Sequence, residues 1–184
     1  SHLTNSFYMK NHTQWVQTTL PTPLGDMRLA ASAAGLTGAW FVTGQRHLPP
    51  DDHMASWPLV PEHPLLLAAI EQLSMYFRSE RQAFDLPLDL TGGTPFQQSV
   101  WRALCDIPYG ETVSYLEIAE AIGNPKAVRA VGAANGRNPL SIVVPCHRVL
   151  GAGGALTGYA GGLDRKAALL RLERGQGLFP PSNA

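Results

Sequence analysis

The chain has 184 residues, 45% hydrophobic and 15% charged, with 14 acidic and 14 basic side chains. That is an ordinary globular composition, large enough for one domain or two small ones, and no apolar run approaches the roughly 18–20 residues that span a bilayer. Its two cysteines, Cys105 and Cys146, allow at most one disulfide and fit a reducing, cytoplasmic setting better than a secreted scaffold.

Ser1 to Tyr8 is polar and mixed, lacks the pattern of a secretory signal, and reads as a non-native remnant before a start at Met9. Gln14 to Leu20 alternates around Trp15 and Val16 and predicts a strand, closed by the turn residues Pro21 to Gly25. Met27–Ala31 and Leu36–Val42 are two further short strands, separated at Ala34-Gly35. Thr43 to His63 is rich in Pro, Asp and His, shows no period, and is expected to be a loop. Pro64 then opens a helix with a broad apolar stripe of Leu67, Ile70, Leu73, Met75 and Phe77. Asp85 to Leu90 alternates again and predicts a strand, and Thr91-Gly92-Gly93 reads as a linker. These elements define an α/β N-terminal domain over residues 9–90.

The second half begins with two helix starts written in side chains. Thr94-Pro95-Phe96-Gln97 and Ser114-Tyr115-Leu116-Glu117 are both capping boxes, in which the cap hydroxyl and the side chain three residues on satisfy each other's backbone N–H groups. The first helix presents Phe96, Val100, Leu104 and Ile107 on one face and breaks at Pro108-Tyr109-Gly110; Cys105 reads as a core residue within it. The second runs to Gly123, and Asn124-Pro125 starts a third, Lys126 to about Ala134, with Ala127, Ala130 and Ala134 on one side and Arg129 pointing elsewhere. Two short helices joined at a glycine read either as a DNA-contacting helix-turn-helix or as a helical hairpin with another use. Charge distribution favours the first. Lys126 to Arg174 holds eight Lys and Arg against two Asp and Glu, a net of +6, which leaves −6 for the rest.

Ser141 to Val149 (Ser-Ile-Val-Val-Pro-Cys-His-Arg-Val) reads as a buried strand running into Pro145, Cys146 and His147. A thiol becomes nucleophilic as its thiolate, and His147 and Arg148 could favour that form. Neighbours on a strand face opposite ways, so His147 serves Cys146 only through a bend at Pro145 or through a water. On these residues alone, a buried structural cysteine beside a surface histidine stays open. No metal site is expected: the other five histidines lie at or before His63, and there is no Cys-x-x-Cys.

Pro145-Cys146-His147-Arg148-Val149 resembles the active-site motif of the O6-alkylguanine-DNA alkyltransferase family. The match extends in order through Gly93 to Gln97, Tyr109 to Tyr115, Gly123 to Gly132 and Tyr159 to Leu163, from about Thr91 to Glu173, and more loosely over the preceding strands and helix. The resemblance implies single-turnover transfer of an alkyl group to Cys146 from O6-alkylguanine, or less efficiently O4-alkylthymine, in double-stranded DNA, with no cofactor. By the same resemblance His147 deprotonates the thiol through a water, Glu173 orients His147, and Tyr115 hydrogen-bonds the flipped base and helps protonate it. Val149, Tyr159 and Ala160 wall the base pocket, and Asn138 is the hinge between recognition helix and active segment. Arg129 fills the gap left in the base stack, with Lys126, Ala127, Ala130 and Arg137 on the DNA side, in the minor groove. The implied architecture is a ribonuclease-H-like first domain and a mainly α, winged helix-turn-helix second domain, residues 91–175, that acts as a monomer and holds every functional residue. Two rivals remain: a non-enzymatic lesion-sensing relative, in which the cysteine is replaced, and a cysteine hydrolase that turns over without DNA.

Overall fold

The computed structural model describes residues 15–182, so the expected start at Met9 and the eight residues before it lie outside the described residues. Three strands, β1 (Val16–Leu20), β2 (Met27–Ala31) and β3 (Leu36–Phe41), form an antiparallel sheet in chain order. The register sets Leu20 opposite Met27 and Met27 opposite Phe41, which puts the apolar set on one face. Helix α2 (Pro64–Phe77) covers that face with Leu66, Ala69, Leu73 and Tyr76, all fully buried.

The opposite face is also apolar, and this corrects the expected loop. Ala30 and Trp40 point there, and the chain answers with a short helix, α1 (Asp51–Ser56), whose Met54 packs with Trp57 against Trp40. Six residues carry too little period to show as a helix in sequence; the need to cover Trp40 creates it. The expected strand at Asp85 to Leu90 is likewise only a single bridge, Leu36 to Leu88. Pro87 lends its carbonyl to the Leu36 N–H but has no N–H to return, so the ladder stops there.

Helices α3 (Pro95–Cys105), α4 (Tyr115–Ala121) and α5 (Val128–Gly136) follow, with both predicted capping boxes formed in full. Helix α4 ends two residues before Gly123 and α5 starts two after Lys126, so Lys126 and Ala127 sit in the connecting turn. Ala119 is fully buried where the helices pack, as its size requires. Ala130 and Ala134, one turn apart on the same side of the helix, differ in burial: Ala134 is buried, while Ala130, nearer the start of α5, is exposed beside Arg129. Cys105 ends α3 exposed rather than in the core, because Val100, Trp101 and Leu104 occupy the buried side.

Strands β4 (Val113–Ser114) and β5 (Val149–Leu150) pair in parallel, and α6 (Leu163–Glu173) closes the chain's packed part. The sheet unit and the helical unit share one core. They are also stitched by backbone: Ala39 of β3 donates to Pro139 O at 2.8 Å and accepts from Ser141 N at 3.0 Å. That stitch fixes the start of the segment carrying Cys146.

Candidate active site

The segment read as a strand is not one. Only Leu140 bridges to the sheet; Ile142 takes a left-handed φ of 74°, and Cys146–Arg148 is a turn of 3-10 helix. Asn138 supplies the physical reason. Its buried side chain donates to Val144 O at 2.8 Å and accepts from Leu140 N at 3.0 Å, offering the backbone a local partner in place of a ladder. A 3-10 turn rotates successive side chains by about a third of a circle instead of reversing them. Cys146 and His147 are therefore both buried, at 2% and 0% exposure, without facing opposite ways.

Glu173, at the end of α6, gathers five donors. His147 Nε2 lies 2.6 Å from Oε2, Tyr76 Oη donates to Oε2 at 2.5 Å, and the Gly110 N–H reaches Oε1 at 3.3 Å. Arg148 adds Nε to Oε1 at 2.7 Å and Nη2 to Oε2 at 3.1 Å, while its Nη1 donates to Ile107 O at 2.7 Å. Burial alone would raise the Glu173 carboxyl, but the His147 and Arg148 donors and the Arg148 charge hold it well below the ordinary range. A carboxylate can only accept, so His147 Nε2 carries the proton. Burial lowers the imidazole pKa against the pull of Glu173, leaving it neutral, and its Nδ1 is buried with no partner among the described residues. Nδ1 is thus a free base. Burial pushes the Cys146 thiol up to about 11, partly offset by Asn138 and by Lys166, so the resting sulfur is a thiol that needs that base.

Arg148 does not supply the cationic setting expected for Cys146; its guanidinium is committed to Glu173. Lys166, unremarked in the sequence beyond its charge, is the cation that acts on the thiol. It is fully buried and donates to Val149 O and Thr157 O at 2.6 Å each and to Gly158 O at 3.2 Å. Tyr76 was also missed, and it lies in the sheet unit, against the expectation that the second domain holds every functional residue. No local pattern distinguishes it from the other apolar residues of α2.

A cavity of about 100 Å³ is bordered by Tyr115, Asn135, Tyr159 and Ala160, together with Gly158, Arg46 and His47. Asn135 donates to the Cys146 carbonyl at 3.4 Å, which ties one wall of the cavity to the turn that carries the nucleophile. Tyr115 opens α4 next to it, held there by the β4–β5 pairing. Val149 and Asn138 do not border the cavity: Val149 is buried with its carbonyl on Lys166, and Asn138 braces the turn from behind. Lys126, Arg129 and Ala130 are exposed, with Ala127 half-buried between them. Arg137 is exposed too, but at the far end of α5, where it borders a separate cavity with Trp15 and Trp101. Among the described residues no group of three His, Cys, Asp or Glu could hold a metal ion, and no helix is long and apolar enough to cross a membrane.

This site and fold have known counterparts. Residues 15–90 match the 6-O-methylguanine DNA methyltransferase, ribonuclease-like domain, and residues 95–175 match the DNA binding domain of the same family. A methylated-DNA–protein-cysteine methyltransferase of Mycolicibacterium paratuberculosis is 54% identical over 157 residues, 85% of this chain and 90% of the relative. The crystal structure of the Mycobacterium tuberculosis O6-methylguanine methyltransferase superposes with a TM-score of 0.79 at 47% identity, covering 89% of this chain and 94% of that one. A structure from the same organism in complex with DNA gives 0.77, with the same identity and coverage. The chain belongs to the methylated-DNA–protein-cysteine methyltransferase family.

Proposed function

We propose that this protein repairs DNA by direct reversal, moving an alkyl group from O6-alkylguanine, and less readily O4-alkylthymine, in a duplex onto Cys146. One observation carries this reading: a buried thiol is followed by a neutral, carboxylate-anchored histidine whose other ring nitrogen is free. The Cys146 proton passes through a water to His147 Nδ1. The sulfur attacks the alkyl carbon, the carbon–O6 bond breaks as the carbon–sulfur bond forms, and the electron pair stays on the guanine. Tyr115 Oη gives the base a proton and recovers one from the imidazolium through solvent. The product is a thioether without a good leaving group, so each molecule acts once and needs no cofactor.

The same reading assigns residues 9–90 to a ribonuclease-H-like domain and 91–175 to a winged helix-turn-helix, with β4 and β5 flanking α4 and α5. The exposed face of α5, where Arg129 stands beside Ala130, suits close approach to a minor groove. Arg137 and Lys126 are left as peripheral phosphate contacts. The same reading has the protein act as a monomer in a reducing cytoplasm, where its two cysteines, both free, stay reduced. The test is incubation with duplex DNA containing O6-methylguanine, followed by intact mass and peptide mapping. One methyl per molecule, on the Cys146 peptide, is expected. A methyl on Cys105, repeated turnover, or binding without transfer overturns the reading.

Arg129 is exposed on α5 and free to enter a base stack. Extruding a nucleotide costs a few kcal/mol, so Arg129→Ala is expected to slow transfer from duplex DNA by roughly tenfold or more relative to transfer from the free O6-alkylguanine base. Single-turnover rates with both substrates check this. Equal losses would place Arg129 in folding or in the pocket.

A further inference from the structure

The loop between β3 and α1 belongs to the sheet unit, yet it reaches the cavity beside Cys146. It is held from both sides. Arg165 of α6 lies over the Phe41 ring at 4.2 Å and donates to Thr43 O at 2.6 Å, while the Arg46 N–H donates to Ala160 O at 2.7 Å. Gln45 Oε1 accepts from Phe41 N at 3.3 Å, and His47 takes a left-handed φ of 58°, a region that few non-glycine residues occupy. Close packing completes the attachment: a Cβ on Gly161 would meet the Tyr159 ring at 2.8 Å and Phe41 at 3.2 Å.

This anchoring presents one charged group. The Arg46 side chain is exposed at the cavity's edge, and among the described residues its guanidinium makes no hydrogen bond and no ion pair. Residues outside Lys126–Arg174 carry a net of −6, so Arg46 runs against the charge balance of its own part of the sequence. A base placed in the cavity keeps its sugar and phosphate at the mouth. Tyr115 and Asn135 border the cavity from the helical unit and Arg46 borders it from the sheet unit. A guanidinium presents planar paired donors to phosphate oxygens, the group such a mouth meets.

We propose that Arg46 is a phosphate-binding residue, by which the sheet unit clamps the backbone of the extruded nucleotide at the mouth of the cavity. This rests on the reading of the cavity as the site of an extruded O6-alkylguanine. It makes the first domain part of the DNA interface, where the charge distribution alone assigned it nothing favourable.

The test compares wild type, Arg46→Ala and Arg46→Lys in two measurements: duplex affinity across salt concentrations, and single-turnover transfer from O6-methylguanine duplex and from free O6-benzylguanine. Loss of one phosphate contact on a duplex flattens the log–log salt slope by about 0.9, and that is expected for Arg46→Ala, with Arg46→Lys restoring most of it. The alanine variant should also lose several-fold more rate on the duplex than on the free base. The anchoring bond from Arg46 is a backbone bond and survives the substitution, so the fold is retained. An unchanged salt slope, or equal rate losses on both substrates, overturns the proposal. If wild-type protein transfers from neither substrate, the alkyl-transfer reading itself fails, and the two outcomes are distinct.

Discussion

Glu173→Ala is expected to be among the most destabilising single changes in this protein, by about 3–5 kcal/mol, the cost of leaving a buried charge without its partner. The carboxylate is 1% exposed, and its removal orphans the Arg148 guanidinium, the Tyr76 hydroxyl and the His147 Nε2–H together. Set against a typical domain stability of about 5–15 kcal/mol, that loss is large. Urea unfolding measures it as a lowered midpoint at unchanged slope. Transfer should fall by about 10²–10⁴, the range of a positioned general base, because His147 loses the acceptor that fixes its tautomer. Glu173→Gln keeps the shape and one acceptor oxygen, and should lie between the two. A Glu173→Ala protein within 1 kcal/mol of wild type would show that the five donors find other partners.

The same cluster makes the fold acid-sensitive, and the sign follows from two depressed groups. Glu173 is held below its ordinary value and His147 is lowered by burial, so both bind fewer protons folded than unfolded. Their contribution is complete above the unfolded values. It begins to fall as pH drops through about 6.5, the ordinary imidazole value, and falls further below about 4.3, the ordinary carboxylate value. In Glu173→Ala the lower step should shrink.

How much of this was legible depended on how local the cause was. Each capping box is closed within four residues, and both appear as read: Gln97 N to Thr94 Oγ1 at 3.1 Å, and Ser114 N to Glu117 Oε2 at 2.6 Å. The Pro-Cys-His-Arg segment was legible as chemistry but not as shape. Its β-branched run suggests a strand, and Asn138, a residue whose sequence role was inferred only by resemblance, turns the chain instead. Tyr76 meets Glu173 across 97 positions, and nothing near Tyr76 in the chain marks the meeting. Helix α1 was invisible for a similar reason, since it answers to Trp40 on another element. Lysine in an amphipathic helix reads as a solvated side chain, and only folding brings three carbonyls around Lys166.

Lys166→Met is expected to cut transfer by more than tenfold, as each orphaned buried carbonyl costs about 1–3 kcal/mol and the pocket wall loses its tie. Lys166 stands on α6 two turns before Glu173, so one helix anchors both the base relay and the wall. Its ammonium joins β5, just past the catalytic turn, to Thr157 and Gly158, which lead into Tyr159 and Ala160 at the cavity. Methionine fills a similar volume with no donor. The rate should therefore fall on duplex and free base alike, unlike the duplex-selective losses at Arg129 and Arg46. Amide exchange between residues 155 and 161 should quicken. A signed pH effect separates the ammonium from mere packing. Burial lowers the Lys166 pKa to about 8, against the nearby Cys146, which pulls it up. The unfolded chain keeps this proton to about 10.4. Between those values the unfolded state holds more protons, so wild-type stability gains with rising pH relative to Lys166→Met. Urea midpoints of the two proteins at pH values on either side of that window read the difference directly. An unchanged transfer rate would show that Lys166 does not hold the wall, and a stability difference flat across the window would show that burial does not depress its pKa in the folded state.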